Sequence, residues 1–170
     1  MKAEPIKTFI MTRPSFIRDK YELRLNDAQV AELQYPKWYS ERAVASLPNG
    51  KKWEFIPRGI FKSRYDIREH GYENPFASIE SYFFSQKAAV KLPKGKEVEV
   101  KSKFFKAEMD YYDPKGQQLF TVKRKFSLRD RIIVSVWEES PLFEEYPWLI
   151  ILGCYLSVQD SKHSAAFVHS

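Results

Sequence analysis

The sequence predicts a mainly β fold: an antiparallel β-barrel of about ten to twelve strands wrapped around one buried, hydrophobic C-terminal helix. Three observations predict it. Aromatic residues reach 16% of the chain, with 13 Phe, 10 Tyr and 4 Trp, and they lie beside Val and Ile in short segments, which is strand chemistry. Turn residues punctuate these segments at Asn26-Asp27, Pro48-Asn49-Gly50, His70-Gly71, Pro93-Lys94-Gly95 and Asp113-Pro114-Lys115-Gly116. The intervals, roughly 20 to 25 residues, hold two ordinary strands each. Finally, one run near the C-terminus is apolar on nearly every side. Between the turns no helical apolar period is long enough for a crossover helix, so successive hairpins are expected rather than βαβ units. No signature dipeptide recurs, which favours one closed barrel over a propeller.

In chain order, residues 1–15 read as an N-terminal arm. Strands are expected at 16–25, 29–35, 43–47, 52–56, 61–68, 76–84, 88–92, 97–104, 107–112, 117–126 and 131–137. Alternation is clearest in Glu97-Val98-Glu99-Val100-Lys101, where the valines share one face and the charges the other. Phe120, Val122, Phe126 and Leu128 likewise share a parity, which leaves Lys123 and Lys125 on the outward side. Pro141 and Pro147 mark a loop and a helix start, and a helix follows over 148–158, with Leu149, Ile150, Ile151, Leu152, Cys154 and Leu156 as its core residues. A helix apolar all round needs burial all round, and this one falls short of the roughly 20 residues that a bilayer demands. The domain therefore spans 16–160, followed by a tail at 161–170.

Composition narrows the function classes. At 170 residues and 20.1 kDa the chain fits one domain with a sizeable core. Its 44% hydrophobic and 29% charged residues exclude wholesale disorder and a multispanning helical membrane protein. A formal charge of +6 and a pI near 9.3 favour anionic partners. One cysteine excludes an internal disulfide framework, and His70, His163 and His169 have no metal-ligand spacing. Charges and prolines interrupt the first twenty residues where a signal peptide needs an unbroken apolar stretch, so a cytoplasmic location is expected.

The last apolar run closes on Cys154-Tyr155-Leu156-Ser157-Val158-Gln159-Asp160-Ser161-Lys162. This ending is similar to the cysteine, Leu-Ser and Asp-Ser-Lys close of tubby proteins. With hairpins first and a greasy helix last, the chain from residue 16 to 160 resembles the tubby C-terminal-like superfamily, which includes tubby proteins, phospholipid scramblases and the plant LURP-one-related proteins. The resemblance implies a barrel of about twelve strands enclosing a central hydrophobic helix. It departs from scramblases in lacking their cysteine-rich lipidation segment and proline-rich N-terminal region. The phosphoinositide-binding lysine and arginine of tubby proteins align with no particular positions here, so the resemblance speaks to fold more than to activity.

Catalytic motifs are absent from the sequence. It contains no nucleophile elbow, Walker loop, dinucleotide fingerprint or EF-hand, so neither catalysis nor a cofactor is expected. Cys154 inside the apolar helix reads as a small core hydrophobe, and His70, His163 and His169 are unsupported as general bases. Glu138-Glu139 and Glu144-Glu145 offer carboxylates to a cation but read as a solvated loop favouring the helix start. The basic residues are the best candidates: Lys101, Lys103 and Lys106 in one segment, and Lys123, Arg124, Lys125, Arg129 and Arg131 in the densest cluster. Outward lysines at Lys101, Lys103, Lys123 and Lys125 would suit phosphates or an anionic phospholipid surface. The alternatives are a protein-interaction or structural domain with a merely solvated basic face, and, less favoured, a nucleic-acid binder, since no RNP-like strand exposes aromatics.

Overall fold

A computed structural model describes residues 3–14, 19–59, 64–80, 87–103, 107–125 and 131–168, the side chains of 164–168 excepted. Twelve antiparallel strands close into a barrel: β1 Lys7–Thr12, β2 Lys20–Leu25, β3 Ala28–Gln34, β4 Ala43–Ser46, β5 Lys52–Arg58 and β6 Arg64–Glu69 form the first half. The second half is β7 Ala77–Glu80, β8 Lys87–Lys91, β9 Glu97–Lys103, β10 Glu108–Tyr112, β11 Gln118–Lys125 and β12 Arg131–Val136. Each strand pairs with its chain neighbour, and β1 pairs with β12 to close the ring. A short helix, α1 Pro141–Glu145, precedes α2 Leu149–Val168, which runs through the barrel. Ser140 caps α1 by accepting a hydrogen bond from the Leu142 amide, and Pro141 occupies the first turn, where its missing N–H costs nothing.

The two-residue strand period sets the core. Phe55, Ile67, Val98, Val100, Phe120, Val122 and Val134 point inward and are buried, while their neighbours face out. The helix supplies the centre of that core: Leu149, Ile151, Leu152, Cys154, Tyr155 and Leu156 are buried, and Ile150 packs partly buried against them. The helix comes closest to one wall at β10–β12. A Cβ placed on Gly153 would come within 3.0 Å of Val122 and 3.1 Å of Phe120, so the missing side chain permits the close approach. On the other wall, β3–β6, the strands carry small inward residues such as Ala31, Ala43 and Ala45, and aromatic rings fill the space. There Tyr155 stacks on Tyr35 at 6.1 Å and meets Phe55 at 5.2 Å and Tyr65 at 5.5 Å.

Two sequence expectations are corrected. The stretch read as an arm contains β1, whose Phe9 and Met11 turn inward and whose backbone pairs with β12 and β2, so residues 7–12 belong to the barrel. The helix expected over 148–158 starts one residue later and continues through Val168, because its polar half is held at the barrel rim where the helix leaves the core. The other expected strands are found with modest boundary shifts, for example Lys52–Arg58 where 52–56 was expected. The earlier parts of 16–25 and 61–68, the end of 76–84, and Phe126 and Leu128 fall wholly or partly outside the described residues.

Candidate functional site

Lys101, Lys103, Lys123 and Lys125 all face outward on the β9–β12 wall. β10 lies between the two strands that carry them, and Glu108 stands opposite Lys103 on one side and Lys123 on the other. Strands spaced by about 4.8 Å put the two lysine columns on the order of 10 Å apart, close enough for one ligand surface. The four are not equivalent. Lys103 lies 3.3 Å from Asp110 and 3.7 Å from Glu108; the Asp110 charge and hydrogen bond, then the charge of Glu108, hold its pKa above the ordinary value. Lys101 places its Nζ 4.6 Å over the Tyr112 ring. Lys123 and Lys125 are exposed and form no ion pair with a described residue. Lys125 also stands directly across from exposed Arg131, a like-charge pair that is unfavourable without a counter-anion.

Arg124 is corrected from that cluster. Its parity matches Phe120 and Val122, so it points inward and is buried, donating from Nη1 to the Ser157 carbonyl at 2.8 Å with Asp160 at 3.6 Å. It ties the helix to β11 and is unavailable to an external ligand. Lys106, Arg129 and His169 lie outside the described residues.

The opposite wall carries an outer cluster that sequence reading missed. Glu54, 4% exposed, accepts from Arg42 Nη2 on one oxygen and Arg68 Nε on the other, with His70 Nδ1 at 3.4 Å. Burial alone would raise the Glu54 pKa, but the two arginine hydrogen bonds and charges outweigh it and hold it below the ordinary carboxylate value. One strand along, Asp66 accepts from Arg58 Nε at 3.2 Å and Arg64 Nε at 3.0 Å. A groove of about 400 Å³ opens over Glu54, lined by Pro36, Lys37, Tyr39, Ser40, Arg42, Val44 and His70. Part of the signal was present in the sequence: the Pro48-Asn49-Gly50 turn joins β4 to β5 and sets Val44 opposite Glu54, while the pairing of β5 with β6 brings Arg68 to the other side of Glu54.

This groove gathers a serine, a histidine and a carboxylate, the types a hydrolytic relay needs. The relay itself is not formed among the described residues. Ser40 Oγ accepts from the Arg42 amide at 3.2 Å, no hydrogen bond joins Ser40 to His70, and two guanidiniums occupy the Glu54 oxygens.

The remaining candidates have structural partners. Burial pushes the Cys154 pKa up to about 12, which leaves the thiol protonated and inert. His163 faces Glu41 at 3.3 Å where the helix leaves the barrel. Glu139 pairs with Lys7 at 2.8 Å, and Glu145 with Lys96 at 3.4 Å, so both acidic pairs have one member engaged. Among the described residues no group of His, Cys, Asp and Glu could hold a metal ion, and no helix is long and apolar enough to cross a membrane.

With this architecture established, comparison with known proteins adds one finding. No family model matches the chain, and no curated protein does. Among solved structures, an X-ray structure of a protein from Arabidopsis thaliana matches at a TM-score of 0.59 and 13% identity. The match covers 88% of this chain and 90% of that one, so nearly the whole barrel with its helix is shared. At that identity the likeness establishes the fold.

Proposed function

We propose that this chain is a non-enzymatic binding module for anionic ligands, phosphorylated lipid headgroups at a cytoplasmic membrane surface being the class that its lysine wall suits. The observation that carries the reading is the exposure of Lys123 and Lys125, which form no ion pair with a described residue, beside Arg131 of like charge. Charges arranged this way gain from an external anion that relieves their mutual repulsion. Lys101 and Lys103 widen the same face but are partly engaged with Tyr112 and Asp110, so their share is smaller. Each lysine near an anionic bilayer contributes roughly 1 kcal/mol, which makes the attachment weak and salt-sensitive.

Flotation with neutral and phosphoinositide-containing vesicles, at low and moderate salt and with a nucleic-acid competitor, tests this. Wild type should float only with the anionic vesicles at low salt. Lys123→Gln with Lys125→Gln should remove most of that binding, and Lys101→Gln with Lys103→Gln a smaller part. Failure to float at low salt, binding unchanged after all four substitutions, or full displacement by nucleic acid would each overturn the assignment.

A further inference from the structure

The connection between β3 and β4 carries the most exposed large aromatic residue that the structure describes. Trp38 is 89% exposed and Tyr39 69%, their rings meet edge to face at 5.7 Å, and Lys37 lies 5.8 Å from the Tyr39 ring centre. A slack loop would not explain this, because the segment is pinned at several points. The Tyr35 hydroxyl donates to Gln159 Oε1 at 3.1 Å, the Tyr155 hydroxyl donates to the Glu41 carbonyl at 2.9 Å, and the Ser40 amide closes a turn onto the Lys37 carbonyl at 3.1 Å. The core thus holds the two rings out in water at the tip of a tight turn.

Beside them lies the groove over Glu54. The groove lining sets Lys37 and Arg42 against the carboxylate of Glu54, whose other oxygen is held by Arg68, while Glu41 of the same connection is turned to His163 on the helix. The Arg42 side chain is 41% exposed and uses Nη2 on Glu54, and among the described residues no other acceptor takes its remaining N–H donors. The two arginines already clasp a carboxylate in this geometry. Rigid aromatic anchors next to arginine are the composition of protein-interface hot spots, whereas lysine-rich faces are not.

We infer that the Trp38–Tyr39 turn and the Arg42 groove form a docking surface for an acidic peptide segment of a partner protein, with an apolar side chain seated against the rings and carboxylates on Arg42 and Lys37. The position on the barrel favours a protein over a bilayer. β5 lies six strands from β11 in a ring of twelve, so this face points away from a membrane that meets Lys123 and Lys125. The inference goes beyond the proposed lipid attachment, and only the choice of a protein over a bilayer rests on that reading.

Trp38 supplies its own readout, since Trp53 and Trp148 are buried and Trp137 is partly so. A short peptide alternating glutamate with leucine is titrated against the protein, beside its lysine-leucine counterpart and neutral and anionic vesicles. The glutamate peptide should blue-shift Trp38 emission saturably and the lysine peptide should not. Trp38→Ala with Tyr39→Ala, which removes only exposed rings, should weaken labelled-peptide anisotropy binding about tenfold or more at an unchanged thermal midpoint. Lys123→Gln with Lys125→Gln should leave peptide binding as it was, which separates this surface from the lipid reading. Equal binding of the lysine peptide, no loss in the double alanine variant, or an emission shift with vesicles but not with peptide would overturn the inference.

Discussion

The two walls of the barrel solve the same packing problem in opposite ways. Against β10–β12 the helix comes close, through a glycine that touches Val122 and Phe120, with Phe120 in turn stacked on Tyr111 at 4.3 Å. Against β4–β6 it stands off, and Tyr35, Phe55, Tyr65 and Tyr155 fill the gap. The outer surfaces differ as well. Lys123 and Lys125 on the close wall are solvated, while on the aromatic wall Arg42, Arg68, Arg58 and Arg64 are drawn onto the buried carboxylates Glu54 and Asp66. The close wall gains packing directly from the helix and carries its own buried outer carboxylate, Asp110, held by Lys103, Gln118 and Thr121. The wall held away from it is braced on its outer face too, and the Tyr155 hydroxyl carries that bracing through to the β3–β4 connection.

If this contrast is real, the largest effect comes from the aromatic side. Tyr155→Ala removes a buried ring packed against three others and the hydrogen bond to the Glu41 carbonyl. It should destabilise the domain by about 3–5 kcal/mol, a large part of a total stability of about 5–15, read from denaturant unfolding. A loss under about 1 kcal/mol would mean that the space collapses easily and that the rings are not a rigid spacer. On the close side the failure is overpacking. Gly153→Val puts methyl groups into atoms already 3.0–3.4 Å from a Cβ position and should cost about 1–3 kcal/mol. A neutral result would show that the helix can shift toward the aromatic wall, and the distinction between the walls would fail.

The fold was legible where local chemistry and register coincide. The parity of Val98, Val100, Phe120 and Val122 placed the four lysines outside, and the all-round apolar run placed the helix inside. The closing strand was not legible, because β12, one of the two partners of Lys7–Thr12, lies far along the chain and Pro5 and Pro14 frame the segment like a loose arm. The helix seemed to end at Val158 because Gln159, Asp160 and His163 are polar; each is met by a rim group, Tyr35, Arg124 or Glu41, that only the closed ring brings near. Arg124 was misplaced for a related reason. A run of three basic residues reads as one surface cluster, yet strand alternation must send its middle member inward.

A smaller predicted effect isolates the outer bracing of the aromatic wall. Glu54→Gln keeps the shape of the side chain but removes the charge that Arg42 and Arg68 share, and it should cost about 1 kcal/mol at neutral pH. The sign of its pH dependence follows from the direction of the shift. Because the folded-state pKa of Glu54 lies below its unfolded value, the carboxylate stabilises the fold fully above about pH 4.3, and the contribution falls away as pH drops through the folded pKa. Urea unfolding of wild type and variant should therefore differ by a constant amount from pH 6 to 8 and converge below about pH 4. Glu108→Gln on the close wall, which loses one 3.7 Å contact to a half-exposed lysine, should change stability by no more than about 0.5 kcal/mol. If the two substitutions cost the same at neutral pH, or if the Glu54 difference persists unchanged into acid, the arginine clamp is not what braces the wall that the helix leaves unsupported.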